Sequence, residues 1–260
     1  MPLSALACPE GCSADTLFGG RLVCHQPRNG YRFSVDAVLL AHFVMPRRGW
    51  RILDLGCGCG IVALISAYRY PDCTLSAVEC QHDLALIAAY NVQANGFQTR
   101  IQVLEADLRH LQGVLAPESF DLVLCNPPYF SQNRGRLSKN AQAAQARHDL
   151  TATITDFIRA ASYAVKNRGR VVFIYPASSQ AVLQQELLAH RLNPRRLQVV
   201  YSYPAADRAA LVLVEAMKNG GNACRIMPPF YLYAQAGGAL SDTMHKLYQE
   251  NQGEPCWPRC

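Results

Sequence analysis

Arg51-Ile52-Leu53-Asp54-Leu55-Gly56-Cys57-Gly58-Cys59-Gly60 decides the fold of this 260-residue chain, because a short apolar strand runs into a loop with glycine at every second position. The three glycines remove Cβ atoms where a ligand would press against the backbone. Ile61 to Tyr70 carries helical patterning, so strand, loop and helix follow in order. A dinucleotide fingerprint would need glycine at position 61. Ile61 stands there instead, which weakens a nicotinamide reading.

Downstream, Thr74 to Val78 reads as a second strand closed by Glu79, and Ile101 to Ala106 as a third closed by Asp107. One acidic residue at a strand end is often only a helix N-cap. Asp54, Glu79 and Asp107 fall in order, each about 25 residues from the last, which is one strand-plus-helix unit per carboxylate. An ionised carboxylate at the second strand end can accept hydrogen bonds from two vicinal hydroxyls.

Phe120-Asp121-Leu122-Val123-Leu124-Cys125 is the next apolar run, and Asn126-Pro127-Pro128-Tyr129 ends it. Two prolines forbid continuation of the strand, so the chain leaves the sheet at its carboxyl edge, where open α/β sheets place their ligands. A planar amine could donate one hydrogen to the Asn126 side chain and the other to the Pro127 carbonyl, while Tyr129 stacks on the attached plane. Asn-Pro is also a common turn initiator, so the dipeptide alone reads equally as a strand-ending turn.

The remaining pattern extends the same architecture. Thr151 to Val165 reads as an amphipathic helix, Arg170 to Tyr175 as a buried strand and Ser178 to His190 as another helix. Arg196 to Tyr203 and Ala209 to Lys218 are β-rich runs flanking the hairpin signal Pro204-Ala205-Ala206-Asp207-Arg208. Before the glycine loop, Asp15 to Val23 and Gln26 to Gly30 look like a small hairpin, and Ser34 can cap the helix that follows. These elements divide the chain into an N-terminal hairpin and helix over 1–45, the main domain over 46–250 and a tail over 251–260.

The formal net charge is +6, and basic residues gather at Arg47-Arg48, Arg134-Arg136-Lys139, Arg168-Arg170 and Arg191-Arg195-Arg196. Such an excess is compatible with a polyanionic substrate without demanding one. Phe130 to His148 is long, polar and basic where a substrate would enter, as lids and binding loops are. The cysteine count, eleven, is odd, and Cys57, Cys59, Cys80 and Cys125 lie in or beside the expected strands and loop; free thiols in a reducing compartment are expected. Cys8, Cys12, Cys256 and Cys260 depart from zinc-knuckle spacing, so no metal is expected. No apolar run approaches about 18 residues and no leader is evident, so the expectation is a soluble, cytoplasmic protein without membrane contact. Sequence leaves monomer and homodimer open.

The glycine loop with its three acidic strand ends resembles class I methyltransferases that bind S-adenosylmethionine. The resemblance implies a Rossmann-like α/β fold: a seven-stranded, mostly parallel sheet, helices on both faces and a C-terminal antiparallel strand pair. Asp54, Gly56, Gly58, Gly60, Glu79, Asp107, Leu108 and Asn126 would then hold the cofactor, with Asp107 at its adenine amino group and Leu108 beside the ring. Tyr31, Phe33 and Asp36 would cover its methionine end.

Tyr31-Arg32-Phe33-Ser34-Val35-Asp36, the glycine loop, Asn126-Pro127-Pro128-Tyr129, Ala146-Arg147-His148-Asp149 and Arg208 together resemble the bacterial tRNA adenine-N6 methyltransferase family that modifies adenine 37 of a valine tRNA. Asp149 stands where that family leads one to expect glutamate. In this reading Asn126, Pro127 and Tyr129 act on the amine, and Pro128, Tyr129, Arg134, Arg136, Lys139 and Arg147 bind RNA. Other possible acceptors are a protein glutamine amide, guanine N2 in RNA or adenine N6 in DNA. A catalytically silent cofactor- or RNA-binding module is a further reading.

Overall fold

The computed structural model describes residues 7–29, 32–129 and 152–249. Its first element is a hairpin of β1 (Cys12–Leu17) and β2 (Leu22–Pro27). The tip lies at Phe18-Gly19-Gly20, inside the first arm expected from sequence, because all three residues take positive φ and the two glycines do so without a Cβ penalty. Phe18 is held in that conformation by burial and by stacking on Tyr68, with ring centroids 4.6 Å apart.

Helix α1 (Val35–Phe43) follows Ser34, whose backbone carbonyl accepts from the Ala37 N–H. The expected side-chain cap is not made. Every residue of α1 from Asp36 onward is buried.

The sheet is built from apolar runs that end at glycine, carboxylate or proline: β3 (Arg51–Leu55), β4 (Thr74–Glu79), β5 (Ile101–Glu105), β6 (Phe120–Cys125) and β7 (Val165–Pro176). These five pair in parallel in the order β7-β6-β3-β4-β5. The antiparallel pair is β8 (Leu192–Tyr201) and β9 (Ala209–Lys218), and β9 inserts between β7 and β8. Those seven strands are the expected sheet. Two two-residue segments, β10 (Arg225–Ile226) and β11 (Phe230–Tyr231), extend it beyond β8, giving nine.

Helices α2 (Ile61–Arg69) and α3 (His82–Ala94) pack with α1 on one face; α4 (Ile154–Ala164) and α5 (Gln180–Ala189) cover the other. Successive residues of one strand serve opposite layers: Ile52 joins the first core, Leu53 the second. That burial on both sides explains why the strands read as continuous apolar runs. Thr153 and Asp156 form a reciprocal capping box that starts α4. A last helix, α6 (Asp242–Gln249), packs on α1.

Candidate active site

Glycine-loop geometry follows from where its N–H groups go. Gly56 and Cys57 both donate to the Val78 carbonyl at 2.9 Å, which pins the loop onto the end of β4. Gly58 donates to Glu79 Oε2 at 2.9 Å, and the Gln81 N–H donates to Glu79 Oε1 at 2.9 Å. Glu79, 5% exposed, therefore joins the loop to the start of α3; Oε1 also accepts from the Cys80 thiol at 3.6 Å, and Oε2 keeps a lone-pair direction for another donor. Gly56, Gly58 and Gly60 have φ of 69, 58 and 84°. A Cβ on Gly56 would lie 3.0 Å from the Phe157 ring, so glycine there serves both conformation and space.

A cleft of about 570 Å³ opens above these strand ends. It brings together Asp36, Gly56, Gly58, Glu79, Asp107, Leu108, Asn126, Pro127, Pro128 and Tyr129 from five different strand-end or helix-start segments. Volumes of this order suit a small-molecule ligand. A second cavity, about 620 Å³, lies at the opposite edge between Arg51, Ser76 and Arg100, and no carboxylate lines it.

Two expected ligands lie elsewhere. Asp54 is fully buried below the loop and accepts from the Ala63 N–H at 3.2 Å, fastening the first turn of α2. Burial pushes its carboxyl up to about 7, against the pull of that hydrogen bond. Gly60 is the N-cap of α2, and its missing Cβ makes room for Ala88 of α3 at 3.3 Å.

Asp107 combines a structural and a lining role. It caps a short turn by accepting from the Arg109 N–H, and the Arg109 guanidinium contacts both its oxygens at 2.6 to 3.0 Å. The Arg109 guanidinium beside Asp107 holds its carboxyl below the usual range.

At the end of β6, the Tyr129 hydroxyl lies 2.6 Å from Asp36 Oδ2 and 3.3 Å from Asn126 Oδ1. The Tyr129 ring meets Tyr175 edge-on, at 5.9 Å between centroids and 85° between planes. Arg32 lines the cleft, but its guanidinium bonds Ser13 and Asp15 of the hairpin. Phe33 is absent from the wall; it packs against the core beside the hairpin, with its N–H on Gln26 Oε1. Tyr31, Arg134, Arg136, Lys139 and Arg147 lie outside the described residues.

Sequence reasoning missed Val78, Cys80, Gln81, Leu84, Ala106, Ala152 and Phe157 on the wall. Leu84 and Phe157 belong to amphipathic helices, where an apolar residue facing a ligand looks the same as one facing the core. The result is an apolar slot with carboxylates along one side and amide acceptors at its end. Such a slot can hold a flat heterocycle, bind paired hydroxyls and present oxygens to an amine.

Cys57 is buried beside the loop, and burial pushes its thiol well up, which leaves it a packing group. Among the described residues no group of three or more His, Cys, Asp or Glu side chains could hold a metal; Cys256 and Cys260 lie outside them. No helix among the described residues is long and apolar enough to cross a membrane.

The family model for the methyltransferase small domain matches residues 34–188. Curated proteins named tRNA1(Val) (adenine(37)-N6)-methyltransferase are similar: that of Aliivibrio salmonicida is 30% identical over 147 residues, 56% of this chain and 61% of the relative. The Shewanella frigidimarina protein is 31% identical over 167 residues, 63% of this chain and 66% of the relative. The chain thus spans less than two thirds of these relatives' lengths. Among solved structures, a predicted O-methyltransferase from Agrobacterium tumefaciens is similar with a TM-score of 0.68 and 25% identity, covering 83% of this chain and 97% of that one.

Proposed function

The chain belongs to the methyltransferase small domain family, and from that premise we propose that it methylates the exocyclic N6 of an adenine in RNA, with S-adenosylmethionine as cofactor and position 37 of a tRNA anticodon loop as the preferred target. The observation that carries the reading is the meeting of Asn126-Pro127-Pro128-Tyr129 with the glycine loop and Glu79 in one cleft. The named relatives supply the choice of adenine over other amines.

The residues present suit the cofactor. Glu79 Oε2 retains acceptor capacity for a ribose hydroxyl, the weak Cys80 thiol contact on Oε1 can give way to a second, and Gly56 and Gly58 bare the backbone beside it. Asp107 and Leu108 stand where an adenine would lie, and Val78, Leu84, Ala106 and Phe157 make the slot apolar. When bound, S-adenosylmethionine supplies an electrophilic methyl group.

This chain's residues do the rest. The N6 lone pair of adenine is delocalised into its ring, so acceptors for both N6 hydrogens favour a more tetrahedral nitrogen. We assign that role to Asn126 Oδ1 and the Pro127 carbonyl, from two residues that line the cleft after β6. Tyr129, 40% exposed, offers its ring to the base. The nitrogen becomes acidic as its new bond forms, so its proton leaves late to solvent and no strong base is required. An anticodon-loop base reaches the cleft by extrusion, at a cost of about a few kcal/mol. Arg134, Arg136, Lys139 and Arg147 are proposed phosphate contacts, and a tRNA substrate entails a cytoplasmic protein.

The test is mass spectrometry of modified nucleosides in tRNA from cells with and without this protein. Loss of N6-methyladenosine at one tRNA position is expected. Unchanged tRNA with loss of methylglutamine in a protein would overturn the RNA assignment.

A further inference from the structure

Tyr129 and Asp36 are 93 residues apart in sequence, yet a short polar contact of 2.6 Å joins them at the cleft. Asp36 sits in the first turn of α1 and is 9% exposed, so its position is fixed by a buried helix. A phenol has one proton, and a short contact to a carboxylate takes it. The 3.3 Å approach between Tyr129 Oη and the Asn126 side chain then needs a donor from the other partner. Turning the Asn126 carboxamide supplies one, since its N–H₂ and oxygen occupy near-equivalent places. The N–H₂ then donates to the phenolic oxygen and the carboxamide oxygen is left for a substrate amine.

We propose that Asp36 is a positioning residue: it orients the Tyr129 ring by its hydroxyl and, through that hydroxyl, sets which end of the Asn126 side chain meets the amine. Tyr175 holds the same ring edge-on from the other side, so the ring is fixed at its tip and its flank. This deepens the proposed amine-methylating function and rests on it. It also reassigns Asp36, which the sequence pattern suggested for the methionine end of the cofactor.

Four purified variants test the chain of contacts: Asp36→Asn, Asp36→Ala, Tyr129→Phe and the double Asp36→Ala/Tyr129→Phe. Each is assayed for kcat and KM with saturating cofactor on whichever acceptor the wild-type protein methylates, and for S-adenosylhomocysteine affinity by calorimetry. Tyr129→Phe keeps the ring and removes the hydroxyl. Loss of a hydrogen bond to a charged group predicts kcat about 10- to 100-fold lower with KM for acceptor changed less than about threefold. Asp36→Ala should match it, Asp36→Asn should retain activity within about threefold through its remaining side-chain oxygen, and the double variant should be no worse than Tyr129→Phe alone.

Additive losses in the double variant would overturn the proposal. So would an Asp36→Ala variant with unchanged kcat and cofactor affinity weakened about tenfold or more, which is the signature of a cofactor ligand. Thermal denaturation separates both from a merely structural role, for which Tm falls and the Asn variant gives no selective rescue. A wild-type protein that methylates some amine other than adenine overturns the adenine assignment while leaving the variant series readable on that amine.

Discussion

The Gly58 N–H donates to Glu79 Oε2 at 2.9 Å, so the carboxylate we propose for a ribose is also a strut of the glycine loop. Its other oxygen accepts from the Gln81 N–H. A glutamine at position 79 has one acceptor oxygen for those two donors and would leave one N–H facing an amide N–H₂. Glu79→Gln should therefore weaken S-adenosylhomocysteine binding by about tenfold or more and lower stability by about 1–3 kcal/mol. Calorimetry and urea denaturation read the two effects, and intact affinity would show that Glu79 does not serve the ligand.

Gly56 has φ of 69° and the Phe157 ring 3.0 Å from where a Cβ would stand. Gly56→Ala should destabilise the fold by about 1–3 kcal/mol, through left-handed backbone strain and displacement of Phe157 from the cleft wall. The companion Gly56→Ala/Phe157→Ala variant relieves the contact but not the backbone strain. A Gly56→Ala loss that is smaller in a Phe157→Ala background than in wild type by more than half identifies the ring as the larger component, as measured by chemical denaturation.

Asp54 gives stability an unusual pH dependence. Its native carboxyl sits near 7 and the ordinary value is 3.8, so between those limits the folded protein holds a proton that the unfolded chain has released. Its contribution is present below pH 3.8 and lost as pH rises through 7. Asp54→Asn cannot lose that proton, so the stability of the variant relative to wild type should climb between pH 4 and pH 7 and level off above. His42 acts with opposite sign: burial, aided by the charge of Arg69, pushes its imidazole down to about 3, so its contribution is lost as pH falls below 6.5. Denaturation of Asp54→Asn and wild type across this range checks the sign. A relative stability independent of pH would remove the buried carboxylate from the account.

Asn126→Ala removes one of the two acceptors we propose for the amine and leaves Glu79, Asp107 and the glycine loop in place. Single-turnover methyl transfer should fall by about 100- to 1000-fold while cofactor affinity holds within about threefold. Unchanged transfer in that assay would dispose of the amine-gripping role.

The fold was legible because β3, β4, β5, β6 and β9 are dense apolar runs with hard stops; the Ala209–Lys218 run coincides with β9, and an antiparallel pair at the C-terminal end is what the resemblance implies. β10 and β11 were not legible, since two residues carry no periodicity and pairing with β8 is a tertiary event. The hairpin tip falls elsewhere because Phe18 takes a positive φ that its burial and its stacking on Tyr68 sustain, both tertiary events.

Within the cleft, residues marked by chemistry were found and those marked by shape were not. Glu79, Asp107 and Asn126 stand out from their surroundings by type, whereas Ala106, Ala152 and Phe157 do not. Asp54 is expected among the cofactor residues from the resemblance, but strand-end position does not tell whether a side chain points over the loop or under it, and Asp54 is buried on the Ala63 N–H. The Asp36–Tyr129 contact had no signal at all, since it joins segments with no periodic relation.

The insertion of β9 between β7 and β8 also sets a schedule for synthesis. Among the described residues, β8 has no hydrogen-bonded neighbour in the main sheet except β9 and the two short segments that come after it, and β7 keeps an open edge until β9 arrives. A nascent chain halted before Ala209 therefore presents the long β7 edge to any other unpaired strand, a template for aggregation. Ribosomes that stall between residues 176 and 209 should leave insoluble fragments, while those reaching Lys218 release a chain whose sheet can close.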